Sequence, residues 1–248
     1  MIKDVRICAW GFLASFVCIF GGAALGGSFL MLPESVSAGD LAAHYRDHHT
    51  EILWFTVVQS VAALLWLLFA AAITAAIMRM QPRSPILALL ALMTSLMQVL
   101  TPFFGAVFFA AAAVQPDASP EVILSLHITG KMSWLGSLHA LVGGIVIAIA
   151  IFRDRSALLP KWYAWVNIVY AIFTQLNVAT VFIKTGPFGP SGVVGMVLPV
   201  ILVGVYIVTT TVALLRINPA QWAAADPWAE IIAQKSELRS ECGTRADV

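Results

Sequence analysis

The sequence predicts an all-α fold, a polytopic bundle of six transmembrane helices. Six long apolar runs contain no Asp, Glu, Lys or Arg, and each meets the roughly 20 residues that a helix needs to cross hydrocarbon. They cover residues 7–32, 52–78, 86–114, 132–152, 162–183 and 192–215. The composition agrees, with 60% hydrophobic and 11% charged residues, against roughly 25% charged in ordinary soluble domains. These observations exclude a soluble domain and make residues 1–216 the membrane part of the chain.

The distribution of basic residues predicts the orientation of the bundle across the membrane. Of the 14 Lys and Arg residues, all but Arg46, Lys131 and Lys184 fall on the side that carries both termini. Basic residues near the ends of spans are retained on the cytoplasmic side. We therefore expect cytoplasmic termini, three outward loops and a multi-pass location in the cell (inner, cytoplasmic) membrane. The first run is longer than the roughly 7–15 residues of a signal-peptide core, so it is expected to remain as an uncleaved span.

Partners other than the lipid bilayer receive little support. The formal net charge is +1 and no cluster of Lys and Arg is present, so we expect no nucleic-acid partner. Cys8 and Cys18 lie in the first span and Cys242 in the tail, which leaves no outer loop to carry a disulfide. P-loop, GxGxxG and GxSxG patterns are missing from the sequence. No cofactor is expected.

The segments between the runs contain helix-start signals. Ser37 followed by Asp40 is a capping pattern, which predicts a short interfacial helix to about His49 in the first external loop. Ser119-Pro120-Glu121 supplies an N-cap, an N1 proline and a first-turn acid, and we expect that helix to continue to Phe152. Prolines in the turn at residues 81–85 make the second and third spans antiparallel neighbours.

Residues 217–248 form a cytoplasmic tail that is partly amphipathic and partly disordered. Asn218-Pro219 and Asp226-Pro227 each resemble the start of a helix on the membrane surface. The last ten residues are polar and carry no apolar periodicity, which is typical of a disordered end.

A few polar side chains interrupt the apolar runs, mostly in the outer half of the predicted bundle. His139 is the one residue within the runs that titrates near neutral pH, and amides occur on several spans. Such groups are costly in hydrocarbon and mark functional sites, although they also form hydrogen bonds between helices. Our leading hypothesis is a cavity that opens outward and binds a lipid-like or other apolar small molecule. Its expected lining residues are Gln59, Gln98, His139 and Asn177.

Acidic and imidazole groups gather around the first external loop. On one continuous helix, Asp40, His44, Asp47 and Glu51 would lie within about 60° of one another. Asp40, His44 and His48 are the candidates for a metal site, but a solvated polar face is the simpler interpretation and no metal is expected. The alternative function is a membrane enzyme in which Glu51 or Asp47 and a histidine, with His139 as a candidate, perform acid-base or metal-assisted chemistry on a lipophilic substrate. A small transporter or complex subunit is the second alternative.

Small residues give the first span a face for close helix contact. Gly22 and Gly26 form a GxxxG pair, which allows two helix backbones to approach closely. The contact lies within one protomer or between two, and in the second case the protein forms a homodimer through this face.

Three stretches resemble an uncharacterised family of six-span integral membrane proteins from actinobacteria, and the layout from the first span to Arg216 is also similar. The stretches are Tyr45-Arg46-Asp47-His48-His49-Thr50-Glu51, Leu159-Pro160-Lys161-Trp162 and Phe182-Ile183-Lys184-Thr185-Gly186-Pro187-Phe188. The resemblance implies the six-span fold. Because that family has no assigned activity, it transfers no functional residue.

The predicted orientation can be tested with single cysteines at Ser37 and Ser156, after Cys8, Cys18 and Cys242 have been replaced by serine. A thiol reagent that cannot cross the membrane should label Ser37→Cys in intact cells, because the first loop is expected outside. It should reach Ser156→Cys only after permeabilisation. Labelling of Ser156→Cys in intact cells, measured as a mass shift, would contradict the orientation.

Overall fold

The computed structural model describes residues 2–32, 35–135, 138–183, 186–189 and 191–225. All regular structure within those ranges is helical. The α-helices are α1 (Ile2–Gly26), α2 (Ala38–Asp47), α3 (His49–Arg79), α4 (Pro85–Ala113), α5 (Pro120–Leu135), α6 (Leu138–Arg153), α7 (Lys161–Phe173), α8 (Leu198–Leu215) and α9 (Pro219–Ala224). Three 3₁₀ segments, Gly27–Met31, Thr174–Val181 and Gly186–Phe188, and a π-helical turn, Val193–Val197, complete the secondary structure.

Five helical segments of the described chain are long and apolar enough to cross a membrane. They are Ile2–Gly26, His49–Arg79, Pro85–Ala113, Pro120–Arg153 and Gly186–Leu215. The expected all-α fold is thus confirmed together with five candidate spans. The predicted span at 162–183 coincides with α7 and the following 3₁₀ segment, and α7 alone has only 13 residues.

Six segments pack in a closed ring. Each of α1, α3, α4, α6, α7 and α8 contacts the next in that order, and α8 returns to contact α1. Helix α5 packs on α4 and α2 beyond one end of the ring, which we call the α2 end. The opposite end carries α9, whose Trp222 lies under the Arg79 guanidinium at 4.4 Å from the ring centroid. This arrangement encircles a central space.

Glycines allow neighbouring helices of the ring to approach closely. A Cβ on Gly144 of α6 would lie 2.7 Å from the carbonyl oxygen of Asn167 on α7. Gly22 faces Val58 and Gln59 of α3, and a Cβ on Gly26 would overlap the carbonyl oxygen of Glu51. The Gly22–Gly26 face is therefore occupied within the protomer, and a homodimer would need another surface.

Hydrogen bonds at helix ends agree with the start signals in the sequence. The Ser37 hydroxyl accepts from the Asp40 N–H at 3.1 Å and donates to the Asp40 carboxylate at 2.7 Å. Asn218 accepts from the Ala220 N–H at 2.9 Å, and α5 begins at Pro120. The predicted helix start at Asp226-Pro227 lies outside the described residues.

The Leu159-Pro160-Lys161-Trp162 stretch closes the α9 end of α6. The Lys161 ammonium donates to the carbonyl oxygens of Ile151, Phe152 and Asp154, the last at 3.0 Å. Ile151 and Phe152 belong to the last turn of α6 and Asp154 follows it, so these carbonyls lack partners within the helix, and a lysine here also complements the helix dipole. The stretch therefore has a structural role.

The helix expected from Pro120 to Phe152 corresponds to the candidate span Pro120–Arg153, whose described parts are α5 and α6. A different expected helix, the one that would carry Asp40 to Glu51 on a single face, is interrupted. Helix α2 ends at Asp47 and α3 begins at His49, so Glu51 does not continue the polar face of α2. The intervening residue His48 has φ −119° and ψ 22°, outside the helical range.

The apolar stripe of α2 faces the protein. Leu41 and Tyr45 of α2, and Ile52 at the start of α3, are almost completely buried. They pack in a cluster with Phe29, Phe55 and Phe109, here called the Phe29 cluster. An interfacial helix would have turned this stripe toward the membrane surface. Helix α2 instead covers the end of the bundle, because packing on aromatic rings buries the stripe more completely than a membrane surface does.

Substitution of Gly144 by alanine should destabilise the ring at α6 and α7. The added Cβ would also lie 2.8 Å from the Ala171 Cβ, and such overpacking costs roughly 1–3 kcal/mol. Gly21→Ala on α1 is the control, because nothing lies within 4 Å of the position that its Cβ would take and alanine favours a helix interior by about 1 kcal/mol. Thermal unfolding in detergent should give a lower midpoint for Gly144→Ala alone. If Gly144→Ala and the wild type unfolded at the same midpoint, that result would contradict close packing of α6 and α7.

Candidate functional site

A cavity of about 160 Å³ lies inside the ring. Every helix of the ring contributes to its wall, together with α5, the 3₁₀ segment Thr174–Val181 and the π-helical turn. The lining residues are Ile19, Leu30, Gln59, Ala62, Ala63, Trp66, Gln98, Thr101, Pro102, Lys131, His139, Ala140, Tyr170, Thr174, Asn177, Gly195, Met196, Pro199, Val200 and Val203. The wall is mainly apolar with a few polar groups, which is the usual composition of a small-molecule site.

The structure brings together the four residues that the sequence selects for a ligand cavity. Gln59, Gln98, His139 and Asn177 all line it, although they come from four different segments of the chain. Gln59 Nε2 donates to the Ile19 carbonyl oxygen at 3.3 Å. His139 is partly buried in the first turn of α6.

Two of these amides have buried acceptor atoms without a partner in the described part of the chain. They are Gln98 Oε1 and Asn177 Oδ1, and each residue is only 8% exposed. Thr74 Oγ1 and Trp222 Nε1 are also without partners there, but neither residue lines the cavity. A buried acceptor that lacks a hydrogen bond costs about 1–3 kcal/mol. The cavity therefore contains two acceptor sites suited to a bound donor.

Lys131 is a further cavity residue, although its place in the sequence had suggested an outer-loop charge. It is 8% exposed. Its ammonium donates to the Ser191 hydroxyl at 2.7 Å and to the Leu32 carbonyl oxygen at 3.3 Å, and Ser191 donates to Leu32 at 2.7 Å. These bonds connect three distant segments beside the cavity. The sequence did contain a signal for this position. The helix predicted to begin at Pro120 includes Lys131 and continues into a span, so this charge lies on the same helix as that span.

Departures from α-helical geometry occur where the chain lines the cavity. Thr174 and Asn177 belong to the 3₁₀ segment, Gly195 and Met196 to the π-helical turn, and Pro102 lies within α4. Irregular backbone at membrane depth is tolerated where it lines a cavity or is buried in protein, and π-turns and mid-helix 3₁₀ stretches often occur at functional sites. The prolines are visible in the sequence, but no sequence signal predicts the 3₁₀ or π geometry.

A second cavity, of about 240 Å³, adjoins the first. The two share the lining residues Ile19, Leu30, Gln59, Met196 and Val200. The second also extends to Ala23, Ala24 and Leu25, which are exposed on the surface of α1. The space inside the ring is thus continued sideways between α1 and the beginning of α8.

Aromatic and hydroxyl side chains close the ring on the α9 side of the cavity. Tyr170 stacks on Tyr206 with ring centroids 4.2 Å apart, and Phe12 stacks on Phe69 at 4.8 Å. All four side chains are buried. Buried polar groups therefore occur on both sides of the cavity, whereas the sequence pattern predicted them mainly in the outer half.

A hydrogen-bonded group lies beyond Tyr206. Tyr163 and Thr210 share a hydrogen bond of 2.9 Å, and Asn167 donates to the Tyr163 carbonyl oxygen at 2.8 Å. This group was not predicted, because tyrosines and threonines, unlike amides and charges, are common in apolar runs and do not stand out there.

The Phe29 cluster closes the α2 end. Tyr45 and His127 are joined by a hydrogen bond of 3.1 Å between the phenol oxygen and Nδ1, and the His127 ring packs on Phe29 and Phe109. Burial raises the pKa of the Tyr45 phenol, so the phenol retains its proton. The Phe29 cluster lies at one end of the ring and the packed aromatic rings lie at the other, and the second cavity continues the space toward the surface of α1.

The acidic and imidazole candidates lie away from this cavity. Asp40, Asp47, His48 and Glu51 are exposed, and neither Asp47 nor Glu51 lines the cavity with His139. The rings of His44 and His48 are 4.5 Å apart. Burial and His48 lower the pKa of His44, although Asp47 and Glu51 act in the opposite direction. No group of three or more His, Cys, Asp or Glu residues arranged to hold a metal occurs in the described ranges.

Comparison of the chain with family models, with curated proteins and with solved structures gives no match. The assignment of a function therefore rests on the cavity itself.

Proposed function

We propose that this membrane protein binds a lipid-like or other apolar small molecule in the cavity inside its helical ring. The proposal rests on two features that occur together. The cavity wall is mainly apolar, and it contains two buried amide acceptors, Gln98 Oε1 and Asn177 Oδ1, that have no donor within the described part of the chain. A ligand that supplies those donors would relieve their desolvation cost. Gln59 and His139 complete the polar part of the wall.

We further propose that six segments span the membrane, with both termini cytoplasmic and the α2 end outside. The support for a sixth span is the length of α7 with the following 3₁₀ segment. Thirteen α-helical and eight 3₁₀ residues rise about 35 Å in total at roughly 1.5 and 2.0 Å per residue, which exceeds the hydrocarbon thickness of about 30 Å. The distribution of Lys and Arg supports the orientation. The resemblance to six-span actinobacterial proteins is consistent with this layout and stays a hypothesis.

A small transporter is the second candidate function. Interrupted helices around a central site are a feature of many transporters, and the 3₁₀ and π segments beside the cavity are interruptions of this kind. The packed rings of Phe12, Phe69, Tyr170 and Tyr206 separate the cavity from the α9 end, which favours binding over passage. The enzyme alternative has no comparable support, because the acids proposed for it lie outside the cavity.

Filling the cavity should displace its ligand. Ala62 lines the cavity and belongs to neither packed cluster of buried residues, so Ala62→Leu adds volume mainly to empty space. Lipid mass spectrometry of detergent-purified protein should show one defined lipid-like molecule per wild-type chain and at least a fivefold lower amount in Ala62→Leu.

The control for this experiment is Ala71→Leu, on the exposed face of the same helix. It should keep the wild-type amount, because surface substitutions away from packed features change little. The same amount of lipid in wild type and Ala62→Leu would contradict the proposal, as would a wild-type protein that carries no defined molecule.

A further inference from the structure

The amides of Gln98 and Asn177 give the cavity two buried carbonyl acceptors without partners in the described part of the chain. We infer that the ligand is an uncharged lipid whose head carries hydroxyl donors, as in a monoacylglycerol, with the head between these amides and the chain directed between α1 and α8. This inference rests on the proposed function, since it assumes that the cavity binds a ligand.

The chemistry of the two unpaired acceptor atoms restricts the head of the ligand. Gln98 Oε1 and Asn177 Oδ1 are carbonyl oxygens, which accept hydrogen bonds and cannot donate them. Both belong to residues more than nine-tenths buried and both line the same cavity. A carboxylate head also has only acceptors, so it would satisfy neither atom, and the Lys131 ammonium that would attract it already donates to Ser191 and Leu32.

A positive charge beside the cavity further restricts the head. Lys131, a basic side chain, lines the same cavity, so a cationic amine head would bring like charges together in surroundings of low dielectric constant. An uncharged head with hydroxyl groups avoids both conflicts. The two free hydroxyls of a monoacylglycerol match the two orphaned acceptors in number.

The volume of the cavity limits how much of the ligand it can hold. An apolar cavity of about 150 Å³ holds a benzene molecule, and the cavity here measures about 160 Å³. It has room for a glycerol head, which has the same number of heavy atoms as benzene, but not for a long acyl chain. The adjoining cavity of about 240 Å³ leads to the exposed residues Ala23 and Ala24. The chain therefore leaves the ring by this route and ends in the bilayer.

Four probes with the same 18-carbon chain separate head from chain: monoolein, methyl oleate, oleate and oleylamine. Their dissociation constants for the full-length, detergent-purified protein can be measured by native mass spectrometry. Monoolein should bind about tenfold more tightly than methyl oleate, which lacks a donor. Oleate and oleylamine should bind no more tightly than methyl oleate.

Two variants test the assigned atoms independently. Gln98→Met and Asn177→Leu keep the approximate size of each side chain and remove its acceptor. Each should reduce the preference for monoolein over methyl oleate to below about threefold, while the affinity for methyl oleate stays within about twofold of wild type. Gln175→Leu is the control, since Gln175 lies on the same 3₁₀ segment, donates to the Ala171 carbonyl oxygen at 3.1 Å and does not line the cavity. It should keep the tenfold preference.

The outcomes distinguish this inference from the proposed function. Equal binding of all four probes would overturn the head assignment and leave a lipid-binding cavity. Tighter binding of oleate or oleylamine, or a monoolein preference unchanged in both variants, would also overturn it. Failure of every probe to bind, with no lipid retained from the membrane, would overturn both.

Discussion

One constraint governs this structure. Where no water is present, a polar group that lacks a hydrogen bond costs free energy. Within the apolar segments, hydroxyl groups are bonded to carbonyl oxygens of the preceding helical turn, as Ser95 is to Ala91 at 2.6 Å and Thr174 to Tyr170 at 2.8 Å. Even Lys131 is held by a carbonyl and a hydroxyl from other segments. Gln98 Oε1 and Asn177 Oδ1 depart from this rule at the cavity. Thr74 Oγ1 and Trp222 Nε1 are further exceptions in the described part of the chain, away from the cavity. Each buried group of this kind calls for an explanation, and at the cavity a bound ligand would supply it.

The ring and its irregular backbone follow from the same constraint. A chain that must satisfy every backbone group in hydrocarbon is restricted to helices, and breaks are tolerated only where protein or a cavity adjoins them. The 3₁₀ segment after Phe173 and the π-helical turn before Leu198 face the cavity together. They prevent α7 and α8 from packing as straight helices at that level. Close contacts at Gly144 and Gly26 hold the remainder of the ring together, so the cavity persists between well-packed regions.

Much of the fold was predictable because charge exclusion and helix caps are local signals. The limits of α3 and α4 differ from the predicted runs by only a few residues, and Ser37, Pro120 and Asn218 begin helices as expected. The cavity-lining residues Gln98 and Asn177 were selected from the sequence because amides are rare in apolar runs. The position of Lys131 in the cavity and the hydrogen bond between Tyr163 and Thr210 were not predicted, because they depend on contacts between distant segments. The 3₁₀ and π segments were not predictable either, since ring packing and not local propensity determines them.

The central claim is that the space inside the ring is a binding site and not a packing defect. The most direct measurement is a crystallographic or electron cryo-microscopy map of the full chain purified with its membrane lipids. The account predicts connected density that begins between Gln98 and Asn177 and leaves the ring between α1 and α8, past Ala23 and Ala24. A map in which lining side chains fill the space, or in which ordered water alone occupies it, would contradict the claim.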